Sequence, residues 1–147
     1  MRLGPKKGAQ DQALGRSRGG LSSKINLAVD ASGRPLRLLI APGQSHDIRA
    51  ARRLVSDQRG GHLLADRAYD AAWLIELLRE RAIKPVIPPR SCSPQRRYNR
   101  TIYRARNLVE RCINKLKHYR RVATRYEKTA RNYLSVVAIA AAALWWR

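Results

Sequence analysis

Only ten acidic residues stand among 31 lysines and arginines in this 147-residue chain, so each carboxylate raises the question of what holds it there. Two are placed where chemistry could be done. Asp66 closes the short apolar run His62-Leu-Leu-Ala65 and precedes a helical pattern, which puts a carboxylate at the carboxyl edge of a sheet, where α/β folds build their sites. The competing reading is a strand-end aspartate that caps the loop behind it. Glu110 belongs to a stretch in which Tyr103, Arg106, Glu110 and Lys117 follow the spacing Y-x2-R-x3-E-x6-K. At about 100° per residue these four fall within roughly 60° of arc on a helix. Ile102, Ala105, Val109, Cys112, Ile113 and Leu116 form the adjacent apolar face, so the stripe runs along the edge of the buried surface and its carboxylate can point into a cleft. An Arg106–Glu110 pair at i, i+4, worth a few tenths of a kcal/mol on an exposed helix, accounts for two of the four residues and leaves Tyr103 and Lys117 as coincidence. The cations around this stripe suggest what it faces. Residues 90–131 hold 14 Lys+Arg against Glu110 and Glu127, a density that pulls strongly on phosphates.

The elements that position these residues follow from the pattern. Residues 1–22 are rich in Gly, Lys, Arg and Gln and read as a basic flexible arm. Residues 23–147 then form one domain, in keeping with the length. Ser23-Lys-Ile-Asn-Leu-Ala-Val-Asp30 alternates apolar and polar positions, Ser32-Gly33 marks a turn and Pro35-Leu-Arg-Leu-Leu-Ile40 supplies a second strand, predicting a hairpin. Residues 47–57 have helical spacing and precede the strand ending at Asp66. Asp70 is expected as the N-cap of a helix through about Ala82. A short strand at Pro85-Val-Ile-Pro88, a basic loop, a helix over 101–118 and a last helix over 130–147 complete a mixed α/β sheet flanked by helices. Several of the remaining acids have structural explanations. Asp30 belongs to the hairpin turn, Asp47 and Asp70 to helix starts, and Glu76, Glu80 and Glu127 to helix surfaces beside basic neighbours.

The net charge of +21 exceeds what solubility needs and points to a polyanion. Nucleic acid is favoured over an anionic membrane, because the charge runs through most of the chain instead of lying opposite one apolar helix face. Cys92 and Cys112 fit neither a disulfide framework nor C-x-x-C spacing, so a reducing cytoplasm is expected. The N-terminal Met1-Arg-Leu-Gly-Pro-Lys-Lys lacks a following apolar stretch, so no signal peptide is expected. The apolar run from Tyr133 to Trp146 is shorter than the ~20 residues of a membrane span.

Several segments together resemble the DDE transposases of bacterial insertion sequences, closest to the insertion-sequence-5 family. They are Gly15-Arg-Ser-Arg-Gly-Gly-Leu-Ser-Ser-Lys24, Pro42-Gly-Gln-Ser-His-Asp47, Ala65-Asp-Arg-Ala-Tyr-Asp70, Val86-Ile-Pro-Pro-Arg90 and the Tyr103, Arg106, Glu110, Lys117 stripe. The resemblance runs from about Lys6 to the C-terminus. It implies an RNase H-like fold in which two aspartates and a glutamate hold two divalent ions, Mg²⁺ or Mn²⁺, with Asp66 matching the second aspartate and Glu110 the glutamate. Such ions prefer hard carboxylate oxygens, and a pair about 3.5–4 Å apart activates the attacking oxygen and stabilises the leaving one at phosphorus. The positions matching Tyr103, Arg106 and Lys117 are associated with positioning transposon-end DNA. The implied partners are double-stranded DNA, at element ends and target, and further copies of the chain in a synaptic complex. The implied location is the bacterial cytoplasm, associated with the nucleoid.

The resemblance also implies a first catalytic aspartate on a strand upstream of Lys7-Gly-Ala-Gln-Asp-Gln-Ala-Leu-Gly15, and neither Asp11 nor Asp30 suits that role. An incomplete RNase H-like fold, its first catalytic strand missing, is therefore expected. The fragment is then part of a longer product made by ribosomal frameshifting. Alternatives are an inactive transposase remnant and a basic DNA-binding protein without catalysis.

Overall fold

The computed structural model describes residues 12–146. Half of the expected arm, residues 1–11, falls outside that range, and the half inside it is not irregular. Strand β1 (Gly15–Ser17) pairs antiparallel with β2 (Gly20–Val29), Gly15 opposite Ser22 and Ser17 opposite Gly20. The sheet therefore starts earlier than the alternation at Ser23 indicates. The Gly19-Gly20 pair that reads as flexible makes the reversal, Gly20 at φ +103°, a conformation open to glycine at little cost.

The hairpin of β2 with β3 (Pro35–Pro42) follows the alternation, with Ile25 opposite Ile40 and Leu27 opposite Leu38. Asp30 makes its turn, Oδ1 accepting from the N–H groups of Ser32 (2.8 Å) and Arg34 (2.9 Å). The apolar face of the hairpin, Ile25, Leu27, Val29, Leu38 and Ile40, packs on a core of Cys112, Leu116, Val122, Tyr133 and Val137. That core is built by α4 (Asn107–Lys117), α5 (Arg120–Ala123) and α6 (Ala130–Ala143), after α3 (Arg100–Tyr103).

A second core joins α1 (Ile48–Leu54), β4 (His62–Leu64), α2 (Ala72–Glu80) and β5 (Lys84–Val86) around Ala51, Val55, Leu74, Leu78 and Ile87. β4 and β5 are parallel, Leu63 opposite Pro85, with α2 as the crossover. The result is a mixed α/β architecture in which three strands, ordered β1-β2-β3, and two strands, β4-β5, are not joined by a ladder among the described residues. Between them lies a cleft of about 760 Å³, lined by β2 from Lys24 to Val29 on one side and by His62 to Asp66 on the other. No helix among the described residues is long and apolar enough to cross a membrane.

Four expectations are corrected. The helix expected over 101–118 is interrupted by a 3-10 turn at Arg104–Arg106, and the last helix gives way to another at Leu144–Trp146. Asp70 does not cap α2, whose N-cap is Ala71. The Asp70 side chain is buried and turned toward the loop after β5, because the Arg96 guanidinium there offers a charged partner and the Arg90 backbone N–H a further donor, where a helix offers only N–H dipoles. Asp47 stands at a helix start as expected, the N-cap of α1, but makes no side-chain cap bond. Its carboxylate is drawn to Lys24, with Nζ at 2.8 Å. Glu127 is not on a helix surface. It lies between α5 and α6, its side chain 7% exposed and paired with Arg121 at 2.9 Å.

Candidate active site

Asp66, two residues beyond β4, is extended and caps the 3-10 turn Arg67–Tyr69, Oδ1 accepting from the Ala68 N–H at 2.9 Å. The capping role considered from sequence is thus real, and it uses one carboxylate oxygen. The turn is held from the far side by Arg90, whose Nε donates to Arg67 O (3.1 Å) and whose Nη2 donates to Ala68 O (2.7 Å). Arg90 is fixed in turn by Asp70: its backbone N–H donates to Asp70 Oδ2 (2.7 Å), while Arg96 Nη2 donates to Asp70 Oδ1 (2.9 Å). Burial pushes the Asp70 carboxyl up, but the Arg90 N–H, the Ser93 hydroxyl and the Arg96 guanidinium outweigh it and hold the group below the usual carboxylate range. Sequence reasoning missed Asp70 and Arg90 as positioning residues. The signal was present, since they end two of the segments that carry the family resemblance, and the structure joins those segments by hydrogen bonds.

Glu110 stands on α4 across the cleft. Its Oε1 is 2.7 Å from Arg106 Nη2, and both side chains are partly exposed, 56% and 34%. The Arg106 guanidinium lies 5.6 Å from the centre of the Tyr103 ring, which is edge-on to Tyr98 at 5.5 Å. Asp66, Arg106 and Glu110 line one cleft together with Lys24, Asp47 and Tyr69. Burial and the charges of Asp47 and Asp66 push the Tyr69 hydroxyl up to about 12. Tyr103 and Lys117 do not line it. Lys117 is exposed in the last turn of α4, and the 3-10 turn before α4, advancing 120° instead of 100° per residue, rotates Tyr103 by about 60° from the ideal stripe.

The donor chemistry of Asp66 and Glu110 suits a hard divalent cation. No group of three or more His, Cys, Asp or Glu side chains among the described residues is arranged to hold a metal ion. Around them the surface is cationic, with Arg97, Arg100, Arg104, Arg111, Lys115 and Lys117 all exposed.

Comparison with known proteins gives the same direction. The profile of the transposase DDE domain matches residues 3–145. A Brucella ovis protein named "Putative transposase for insertion sequence element IS6501" is 39% identical over 132 residues, covering 86% of this chain and 100% of that protein. A Burkholderia cepacia protein named "Putative transposase for insertion sequence element IS402" is 29% identical over 120 residues, covering 74% of this chain and 55% of that protein. No solved structure matches. A match of the DDE domain across nearly the whole chain, on a mixed α/β fold that turns two carboxylates and a cationic helix toward one cleft, means that the chain belongs to the transposase DDE domain family.

Proposed function

We propose that this chain acts in DNA transposition as part of a DDE catalytic core of the insertion-sequence-5 type, cutting and joining DNA strands at element ends. The observation that carries the reading is the convergence of Asp66 and Glu110, from elements 44 residues apart in the chain, on one cleft. Asp66 and Glu110 supply two ligands for Mg²⁺ or Mn²⁺, which when bound activate an attacking oxygen and neutralise the leaving one. The chain's own residues do the positioning. Arg90 and Asp70 hold the turn that presents Asp66, and Arg106 pairs with Glu110 along α4. Tyr103, Arg106 and Lys117 contact the backbone of double-stranded end DNA. The fold is read as RNase H-like and short of one strand, which the unjoined edges of β2 and β4 support.

The test is binding and cleavage of a duplex bearing an element end, with the chain carried in its longest reading frame. Asp66→Ala and Glu110→Ala are each expected to abolish metal-dependent cleavage while DNA affinity stays within about threefold, since phosphate contacts dominate affinity. With this chain alone, Mn²⁺ should broaden NMR signals beside Asp66 and Glu110, and either substitution should weaken the effect. Undiminished cleavage in both variants sinks the reading. A second reading, a basic DNA-binding protein or remnant without catalysis, is favoured by the want of a third donor beside the pair among the described residues. It predicts DNA binding with no cleavage from any form of the chain.

A further inference from the structure

We propose that Lys24 is a phosphate-binding residue of the candidate site. Its ammonium, held on the β2 wall of the cleft by Asp47, meets a backbone phosphate of the bound DNA strand.

The strand and the loop behind it set the ammonium in place. Lys24 stands opposite Ala41 in the ladder of β2 with β3. The chain leaving β3 folds back over the start of β2, where the Gly43 N–H donates to Ser22 O at 3.0 Å. The approach is so close that a Cβ at Gly43 would collide with the Ser22 side chain. The loop then brings two acceptors to Lys24, whose Nζ donates to Ser45 O at 2.9 Å and to Asp47 Oδ1 at 2.8 Å. An ammonium has three N–H donors, and these are the two bonds that the Lys24 side chain makes among the described residues, so one donor is left over. The side chain is 35% exposed and can offer that donor to a ligand.

Tyr69 places this pair beside Asp66. Lys24, Asp47, Asp66 and Tyr69 line one cleft. Tyr69 packs on the same core as Ile48, the residue after Asp47. After burial, the charges of Asp47 and Asp66 are what push its hydroxyl up, so both carboxylates lie close to one ring.

Charge then selects the ligand. Asp30, Asp47, Asp66 and Glu110 line the cleft, and among the described residues Lys24 and Arg106 are the lysine and arginine that answer them. Arg106 belongs to α4 and is engaged by Glu110. A phosphodiester led toward Asp66 brings its own negative charge into this group, and on the β2 wall Lys24 is the cation that meets it. Lysine binds phosphate as a point charge, and one already held by two acceptors has less side-chain freedom to lose on binding.

The plainer role for the pair is to fasten α1 to β2. A partly exposed ion pair adds little to stability, and the loop is already closed by the Gly43 bond to Ser22 and by the Ser45 N–H on Pro42 O at 2.9 Å.

The inference takes its ligand from the proposed strand chemistry, but its test uses neither metal nor cleavage, so either can fail alone. The full chain and its variants are titrated against a fluorescently labelled duplex by anisotropy at several salt concentrations. Lys24→Gln should weaken binding about five- to tenfold near 0.1 M salt and lower the slope of log K against log[salt] by about 0.9, the measure of one phosphate contact. Lys24→Arg, which keeps the charge, should stay within about twofold of wild type. Asp47→Asn, which frees the ammonium from its counter-charge, should tighten binding at least about twofold. A fastening role predicts the opposite sign there, since losing either partner loosens the same loop. Urea denaturation checks that each variant is folded, and if Lys24→Gln is not, the sign of the Asp47→Asn change decides. Weaker binding by Asp47→Asn, or an unchanged salt slope in folded Lys24→Gln, overturns the proposal.

Discussion

Replacing Asp70 with asparagine should cost this protein far more than its place between two helices would indicate. The Asp70 side chain is 3% exposed and its Arg96 partner 21% exposed. Breaking a fully buried ion pair costs about 3–5 kcal/mol. Two features reduce that here: Arg96 also donates to Ile87 O at 2.9 Å, and asparagine keeps an oxygen for the Arg90 N–H. A loss of about 2–3 kcal/mol is therefore expected. For a chain of this size that is a fall in Tm of about 10 °C. The assay is thermal or urea denaturation of both proteins across pH. Because the folded Asp70 carboxyl lies below its unfolded value of about 3.9, its contribution is complete above that value and is lost as pH falls through the folded pKa. The gap between wild type and Asp70→Asn should be flat from about pH 5 to 8 and close below about pH 4. Because Asp70 fixes Arg90 and Arg90 fixes the Asp66 turn, exchange at the Ala68 N–H should also quicken in the variant. A loss under about 0.5 kcal/mol, or a gap insensitive to acid, would refute the idea that this buried pair holds the turn.

Three further outcomes follow from the same geometry. Glu110→Gln should change stability by no more than a few tenths of a kcal/mol, since its pair with Arg106 is exposed at i, i+4, so any loss of cleavage in that variant is chemical and not a folding defect, as urea denaturation will show. DNA affinity should fall steeply with salt, and Lys117→Ala should reduce the slope of log K against log[salt] by about 0.9 if Lys117 meets a phosphate, read by fluorescence anisotropy at several salt concentrations. A thiol reagent should modify exposed Cys92 rapidly and buried Cys112 only after unfolding, because burial also pushes the Cys112 thiol up.

Local patterns were legible where one chemical preference decides the structure. The period of two in β2 and β3 fixes which face meets the core, and the Asp30 carboxylate makes the turn its spacing indicates. What was not legible depends on partners far along the chain. Asp70 reads as a helix cap because its nearest donors are helical N–H groups, yet Arg90 and Arg96, 20 and 26 residues away, outbid them. Glu127 reads as a surface residue because nothing local announces its burial beside Arg121. The stripe of α4 is legible in composition but not in phase, because the 3-10 turn at Arg104–Arg106 moves Tyr103 off the cleft while leaving Arg106 and Glu110 on it.

The two candidate carboxylates both fill the structural roles weighed against function, and this bears on what a site residue is. Asp66 does cap a turn and Glu110 does pair with Arg106. Neither role is a reason to dismiss them, because both are inexpensive to give up or share. The Asp66 cap uses one oxygen, and an exposed i, i+4 pair is worth a few tenths of a kcal/mol, less than a divalent cation offers. Asp70 is the contrasting case: buried, bonded to Arg90 and Arg96, and held ionised, it is too well satisfied to be available. Under the proposed function, Asp66 and Glu110, which line the cleft with weak partners, are the carboxylates left free to act, and Asp70, with strong partners, holds the Asp66 turn in place.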